Sequence, residues 1–235
     1  MPICHKKKFI FFHIPRCGGT SFSSLFDYKN KQQLWGVTKS GDQIITLHHL
    51  TATDLKQANL ISDEILNSYF KFTIIRDPFD RMASDFIWQK YHDPNGIFSA
   101  MTFQDYLNFG EKILDEGRYF EKRHFDHFRP MTLYCLNGTE PIVDDILLLE
   151  RIDQDIKRIQ QHIGQIEMPK FNSSHSYAEL KTTSNLDHVY KLYEADKILY
   201  DHIAALENEI TQPENEDDLV FVLLRTQYEN LLITS

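Results

Sequence analysis

The sequence predicts an α/β fold, a central parallel sheet flanked by helices in three layers. Three observations predict it. Four short apolar, β-prone runs recur along the 235 residues. Each is followed by a stretch whose apolar residues fall at helical spacing, the alternation that builds parallel sheets. The length itself suits one α/β domain.

The elements follow in order. "FIFFHI" (9–14) reads as a buried strand, apolar and aromatic and stopped by Pro15. Residues 20–28 place Phe22, Leu25 and Phe26 on one helical face. "QIITLHHL" (43–50) is a second strand candidate, and Thr51 caps the helical stretch 51–60 that follows. "YFKFTIIRD" (69–77) is a third strand. Pro78 then occupies a first-turn position, and 79–92 reads as helix. "DPNG" (93–96) is a turn, and Thr102 caps a helix over 102–114. "DDILLLE" (144–150) is a fourth strand, with a helix over 151–166 ending near Gly164. Residues 168–180 read as loop and 185–206 as helix. The polar break at 211–218 sets off an apolar element at 219–233. One domain is therefore expected over 1–210, with 211–235 a tail element packed on it.

Composition narrows the class. With 42% hydrophobic and 25% charged residues the chain is an ordinary globular protein. It is long enough to bury about 70% of its unfolded surface without disulfide or metal. A net charge of −9 argues against a nucleic-acid partner, yet a local basic pocket can still take an anionic ligand. Cys4, Cys17 and Cys135 are far apart and odd in number, which indicates neither a disulfide framework nor a zinc motif. They fit a reducing compartment. The start is basic then apolar, but the run Phe9 to Phe12 is too short for a signal peptide. No run approaches the roughly 20 residues needed to span a bilayer, so no membrane insertion and a cytoplasmic location are expected.

Two motifs carry chemistry. In "HIPRCGGTS" (13–21) a strand turns through Gly18 and Gly19 toward a helix start, presenting unpaired backbone N–H groups to an anion. Thr20 and Ser21 add hydroxyl donors and Arg16 a fixed positive charge. A plain strand–helix turn with a Thr cap has the same look. In "IIRDPFDRMASDF" (74–86) the strand delivers Arg76 to the carboxyl end of the sheet, where open α/β folds bind ligands. Ser84 follows eight residues later, about two helical turns on, and the two can converge on one phosphate. Arg81 stands four residues after Asp77, the spacing of a structural ion pair.

"IPRCGGTS" resembles the 5′-phosphosulfate loop of sulfotransferases, and "RDPFDRMAS" resembles their 3′-phosphate motif. Their order and separation, with "HFRPMTLYC" and "MPKFNSS" downstream, resemble the carbohydrate sulfotransferase family that includes heparan sulfate 2-O-sulfotransferases and HNK-1-type enzymes. The resemblance covers roughly residues 9–200. It implies a P-loop-like fold and the donor 3′-phosphoadenosine 5′-phosphosulfate, with a carbohydrate or other hydroxyl-bearing acceptor. Arg16, Cys17, Gly18, Gly19, Thr20 and Ser21 would hold the 5′-phosphosulfate, and Arg76 with Ser84 the 3′-phosphate. The family's loop lysine is Arg16 here, a planar fork in place of a point charge. "FNSSHS" (171–176) would close over the adenosine.

Between the two motifs lies "TLHHLTATDL" (46–55). Transfer of a sulfuryl group to an alcohol benefits from a base that takes the hydroxyl proton, and histidine suits that task near neutral pH. The family's base stands in a His-hydrophobic-Ser/Thr stretch, which "HHLTA" matches best at His49, with His48 as the substitute. Charge developing on the leaving phosphate oxygen would meet Arg16 and the loop N–H groups, so no metal is implied. The basic-aromatic segment 115–130, with Arg118, Lys122, Arg123 and Arg129, would face the acceptor or form a solvated face. Two other readings stand beside this one. A P-loop nucleotide or small-molecule kinase lacks here its Gly-Lys-Ser/Thr ending and a Mg²⁺-binding Asp. A non-catalytic sulfotransferase-like binding module would keep the clamp without the chemistry.

Overall fold

The computed structural model describes residues 3–26, 34–138, 140–169 and 177–206. The tail 211–235 and the stretch "FNSSHS" lie outside the described residues. In chain order the elements that build the frame are β1 (Ile3–Cys4), β2 (Phe9–Phe12), α1 (Gly19–Ser23), β3 (Val37–Ser40), β4 (Gln43–Thr46), α2 (Ala52–Gln57), α3 (Asp63–Ser68) and β5 (Phe70–Ile75). Then come α4 (Pro78–His92), α5 (Phe103–Glu116), α6 (Thr132–Cys135), a short hairpin of β6 (Leu136–Asn137) and β7 (Glu140–Pro141), and β8 (Asp145–Leu148). Helices α7 (Ile152–Asp155), α8 (Gln160–Ile163), α9 (Thr183–Leu192) and α10 (Glu194–Ala205) follow.

The central sheet has the order β1-β2-β5-β8. β2, β5 and β8 are parallel, with Phe11 opposite Phe72 and Ile74 opposite Leu147. The edge strand β1 runs antiparallel, so the sheet is mixed rather than purely parallel. Alternation along each strand sorts side chains onto two faces. Phe9, Phe11, Phe72, Ile74 and Leu147 pack with Phe22 of α1 and with Ile156, Ile159 and Ile163 around α7 and α8. Ile10, Phe12, Ile75, Ile146 and Leu148 pack against α2, α3, α6 and α10. A third apolar cluster joins α4, α5 and α9 beside the sheet. Both sheet faces are covered, which is why the strands read as continuous apolar runs.

Several expectations are corrected. The predicted second strand does not enter the central sheet: β4 pairs only with β3, in a separate antiparallel hairpin. It stops at Thr46, and Leu47–His49 form a single 3-10 turn. The helix expected over 151–166 is two short pieces. Its break follows Asp155, whose buried carboxylate accepts the Leu148 N–H at 2.7 Å and pairs with Arg158. The stretch 185–206 likewise divides into α9 and α10 at Tyr193. Arg81 does not serve an ion pair with Asp77. Fully buried, it donates to the carbonyls of Pro15, His127 and Arg129 and lies 3.8 Å from Asp196. It ties the turn after β2 to segment 124–129, and a cation there is tolerated because its N–H groups have acceptors.

Candidate functional site

The site is built where β2 and β5 end. Residues 13–18 turn across that edge, with Arg16 at φ 67° and Gly18 at φ 78°. The left-handed region is easy for Gly18 and costly for Arg16, so tertiary contacts must fix the loop. A Cβ on Gly18 would stand 2.6 Å from Leu149, and one on Gly19 would overlap the His13 imidazole. Close approach therefore requires glycine at 19, while at 18 it is the left-handed φ that favours glycine, the Leu149 methyl being free to shift. Helix α1 covers only Gly19–Ser23, shorter than the predicted 20–28, so its dipole is that of little more than one turn. Thr20 is exposed at the cavity rim. The Ser21 carbonyl accepts the Ser24 hydroxyl at 2.7 Å. Cys17 points inward, its thiol 3.7 Å from the Met131 sulfur and pushed by burial up to about 12. Only its backbone can serve the loop.

Arg76 leaves the end of β5 and Ser84 sits two turns into α4. The Asp77 carboxylate starts that helix by accepting from the N–H groups of Phe79 and Asp80. Arg76 donates to the Arg16 carbonyl at 3.4 Å and to the Tyr177 hydroxyl, with its guanidinium 5.7 Å over the Tyr177 ring. Arg16 reaches Ser84 directly: its Nε and Nη2 stand 3.3 and 3.1 Å from Ser84 Oγ. Two residues read as opposite ends of a clamp thus touch. Arg16 also lies 5.3 Å over the Trp88 ring, and burial lowers its pKa.

Beyond Arg16 opens a cavity of about 170 Å³, lined by Thr20, Trp88, Arg123 and a group of histidines: His13, His48, His49, His124 and His127. His49 Nδ1 lies 2.7 Å from Asp126 Oδ2. A carboxylate only accepts, so Nδ1 carries the proton and Nε2 keeps its lone pair. The His49 carbonyl accepts the Tyr134 hydroxyl at 2.9 Å, which fixes the turn. Burial, then the charges of His48 and His127, hold His49 well below the usual imidazole range, so it is neutral at neutral pH. A second pair repeats the arrangement: His127 Nδ1 is 2.6 Å from Asp85 Oδ1, and Tyr106 donates to Asp85 Oδ2. His48 differs. It stacks on Trp35 at 4.2 Å, receives the Gly36 N–H at 3.4 Å and, mainly through burial, is lowered to about 3.

Of the basic segment, Arg123 reaches the cavity. Arg129 does not: it is buried and grips Asp54 through two bonds of 2.6 and 3.1 Å. Arg118 pairs with Glu116 and Glu121. Sequence reasoning missed His13, Asp126, His127, Asp85 and Trp88. The "HFDHF" run, with a His on either side of Asp126, was the available signal within the basic-aromatic segment.

Residues 1–203 match the profile of the sulfotransferase family. Carbohydrate sulfotransferase 10 from Gallus gallus is 35% identical over 98 residues, 39% of this chain and 26% of that protein. The Homo sapiens protein of the same name is 33% identical over the same lengths. The aligned stretch thus spans about a quarter of these relatives. No solved structure matches the chain.

Proposed function

The chain belongs to the sulfotransferase family, and from that premise we propose that it moves a sulfuryl group from 3′-phosphoadenosine 5′-phosphosulfate to a hydroxyl of a carbohydrate or related acceptor. The observation that carries the reading is one cavity shared by Arg16, at the end of the glycine loop, and by His49, oriented by Asp126. His49 Nε2 takes the acceptor proton as the oxygen bonds to sulfur. Asp126 stabilises the imidazolium that forms. The bond from sulfur to the 5′-phosphate oxygen breaks, and Arg16 with the loop N–H groups of Gly18, Gly19 and Thr20 receives the charge. Arg76 and Ser84 hold the 3′-phosphate, so donor entry replaces the Arg16–Ser84 hydrogen bond. A carbohydrate acceptor is favoured by the name of the similar proteins and by Trp88 and Arg123 at the cavity. All three cysteines are free, which fits a reducing compartment.

Thermal unfolding with 3′-phosphoadenosine 5′-phosphate tests this against ATP with Mg²⁺. A ligand at a hundredfold excess over its Kd stabilises by about 2.7 kcal/mol, a rise of several degrees for a chain of this size. The bisphosphate is expected to raise Tm and ATP–Mg²⁺ to leave it unchanged; the reverse result supports a kinase. His49→Ala keeps the bisphosphate shift and loses roughly 10²- to 10⁴-fold in turnover. A variant that turns over normally removes His49 from the base role, and a wild type that binds donor without turnover marks a binding module.

A further inference from the structure

The proton chemistry above uses His49 alone, yet three imidazoles crowd around it. One nitrogen each of His13, His48 and His49 lies within 4.8 Å of those of the other two. The rings stand 4.3 to 5.3 Å apart, centre to centre. Three further facts suit a metal better than packing. His13 is 3% exposed, and its Nδ1 is buried with no hydrogen-bond partner, a costly state for a polar atom unless something occupies it. His49 is held by a carboxylate on its far nitrogen, the arrangement that orients metal-bound imidazole. All three are lowered first by burial, so each keeps one nitrogen without a proton at neutral pH.

We propose that His13, His48 and His49 form a site for a divalent transition metal of the Zn²⁺ class, and that its occupancy inhibits transfer. Imidazole ligands suit zinc, cobalt, nickel and copper, and exclude the harder Mg²⁺ and Ca²⁺. Three histidines with one position open to the cavity is a common zinc geometry. Zn–N bonds of about 2.0–2.1 Å in a tetrahedron set the nitrogens about 3.4 Å apart, so the trio must draw together by up to about 1.5 Å. The His48 contact with the Gly36 N–H is long, and releasing it lets the ring change tautomer. A metal on His49 Nε2 takes the lone pair that would accept the acceptor proton. The inhibition rests on the base role proposed above; the metal binding does not.

The test uses the full chain, stripped with EDTA and dialysed, with Co²⁺ as a visible probe and Zn²⁺ as competitor. One equivalent of Co²⁺ is expected to give the intense visible bands of low-coordinate, nitrogen-bound cobalt, and Zn²⁺ to abolish them. His13→Gln and His48→Gln, each checked for folding by circular dichroism, should weaken binding by at least roughly tenfold. His124→Gln, in the same cavity but outside the trio, should leave it unchanged. No cobalt spectrum in folded wild type, or a spectrum that survives both substitutions, overturns the site. Release of 3′-phosphoadenosine 5′-phosphate as the sulfuryl group passes to a hydroxyl of an added sugar, or to water, then reads the inhibition. Near-stoichiometric Zn²⁺ should suppress it and EDTA restore it. Metal bound through the trio with release unchanged or raised overturns the inhibition while the sulfotransferase reading stands. Failure of release in metal-free protein counts against that reading and leaves the cobalt result to judge the site.

Discussion

At the residue scale, the site turns on a pair separated by 77 positions in the chain: His49 and Asp126. Asp126→Asn keeps the shape but replaces an obligate acceptor with an amide that can donate, so His49 can flip to the tautomer whose Nε2 carries the proton. Turnover should fall by about 10²-fold or more, while the Tm rise with 3′-phosphoadenosine 5′-phosphate stays as in wild type. Equal loss of both would give Asp126 a purely structural role. Arg16, Arg76, Ser84 and His49 stand out in the sequence as candidates because each lies in a short motif, and the structure brings Arg16 against both Ser84 and Arg76 and onto the cavity that His49 also lines. Asp126 does not stand out, since nothing local says which distant imidazole a buried carboxylate will meet. Arg129 shows the reverse failure: a cation in a basic stretch reads as a surface contact until its buried partner, Asp54, is seen.

At the element scale, the shape of the glycine loop depends on a left-handed Gly18 and on a Gly19 backbone packed too closely on the His13 ring for a Cβ. Gly19→Ala forces the new methyl into the His13 ring. His13 in turn stacks against Phe11 and stands beside His48 and His49, so it has little room to move. The substitution should cost about 1–3 kcal/mol of stability, seen as a lower urea midpoint, and should abolish the bisphosphate-induced Tm shift. A Gly19→Ala protein that keeps both would show that the loop has slack. Helix starts were readable: Pro78 opens α4, and Thr51 and Thr102 each form a capping box with the Asp three residues on. The β3–β4 hairpin was not. Val37–Ser40 are exposed throughout, so no apolar face marks the strand that β4 pairs with. The break between α7 and α8 was also hidden, because Asp155 is spent on the Leu148 N–H and on Arg158 rather than on helix surface.

At the scale of the whole molecule, the histidine cluster sets a pH dependence. His13 and His49 are held well below the ordinary imidazole range, His48 at about 3 and His124 at about 4, burial being the first cause in each. In the unfolded chain these groups titrate near about 6.5. Between that value and their folded values the unfolded state binds more protons, so stability rises with pH and is lost as pH falls from about 6.5 toward 4. Urea midpoints across that range should fall steadily, and His48→Gln should flatten the slope by up to about one proton. A flat profile would mean the imidazoles titrate normally in the fold. The sequence by itself determined the α/β class and offered two candidate anion motifs and a candidate base, because strand hydrophobicity, glycine at tight turns and fixed spacings are local properties. Tertiary structure alone decided that β4 leaves the main sheet, that Arg16 meets Ser84, that Arg81 pins the loop from within, and that five histidines gather at one cavity with Asp126 and Asp85 behind two of them. Those are contacts between residues far apart in the chain, and they exist only once the core has paid the entropy of bringing them together.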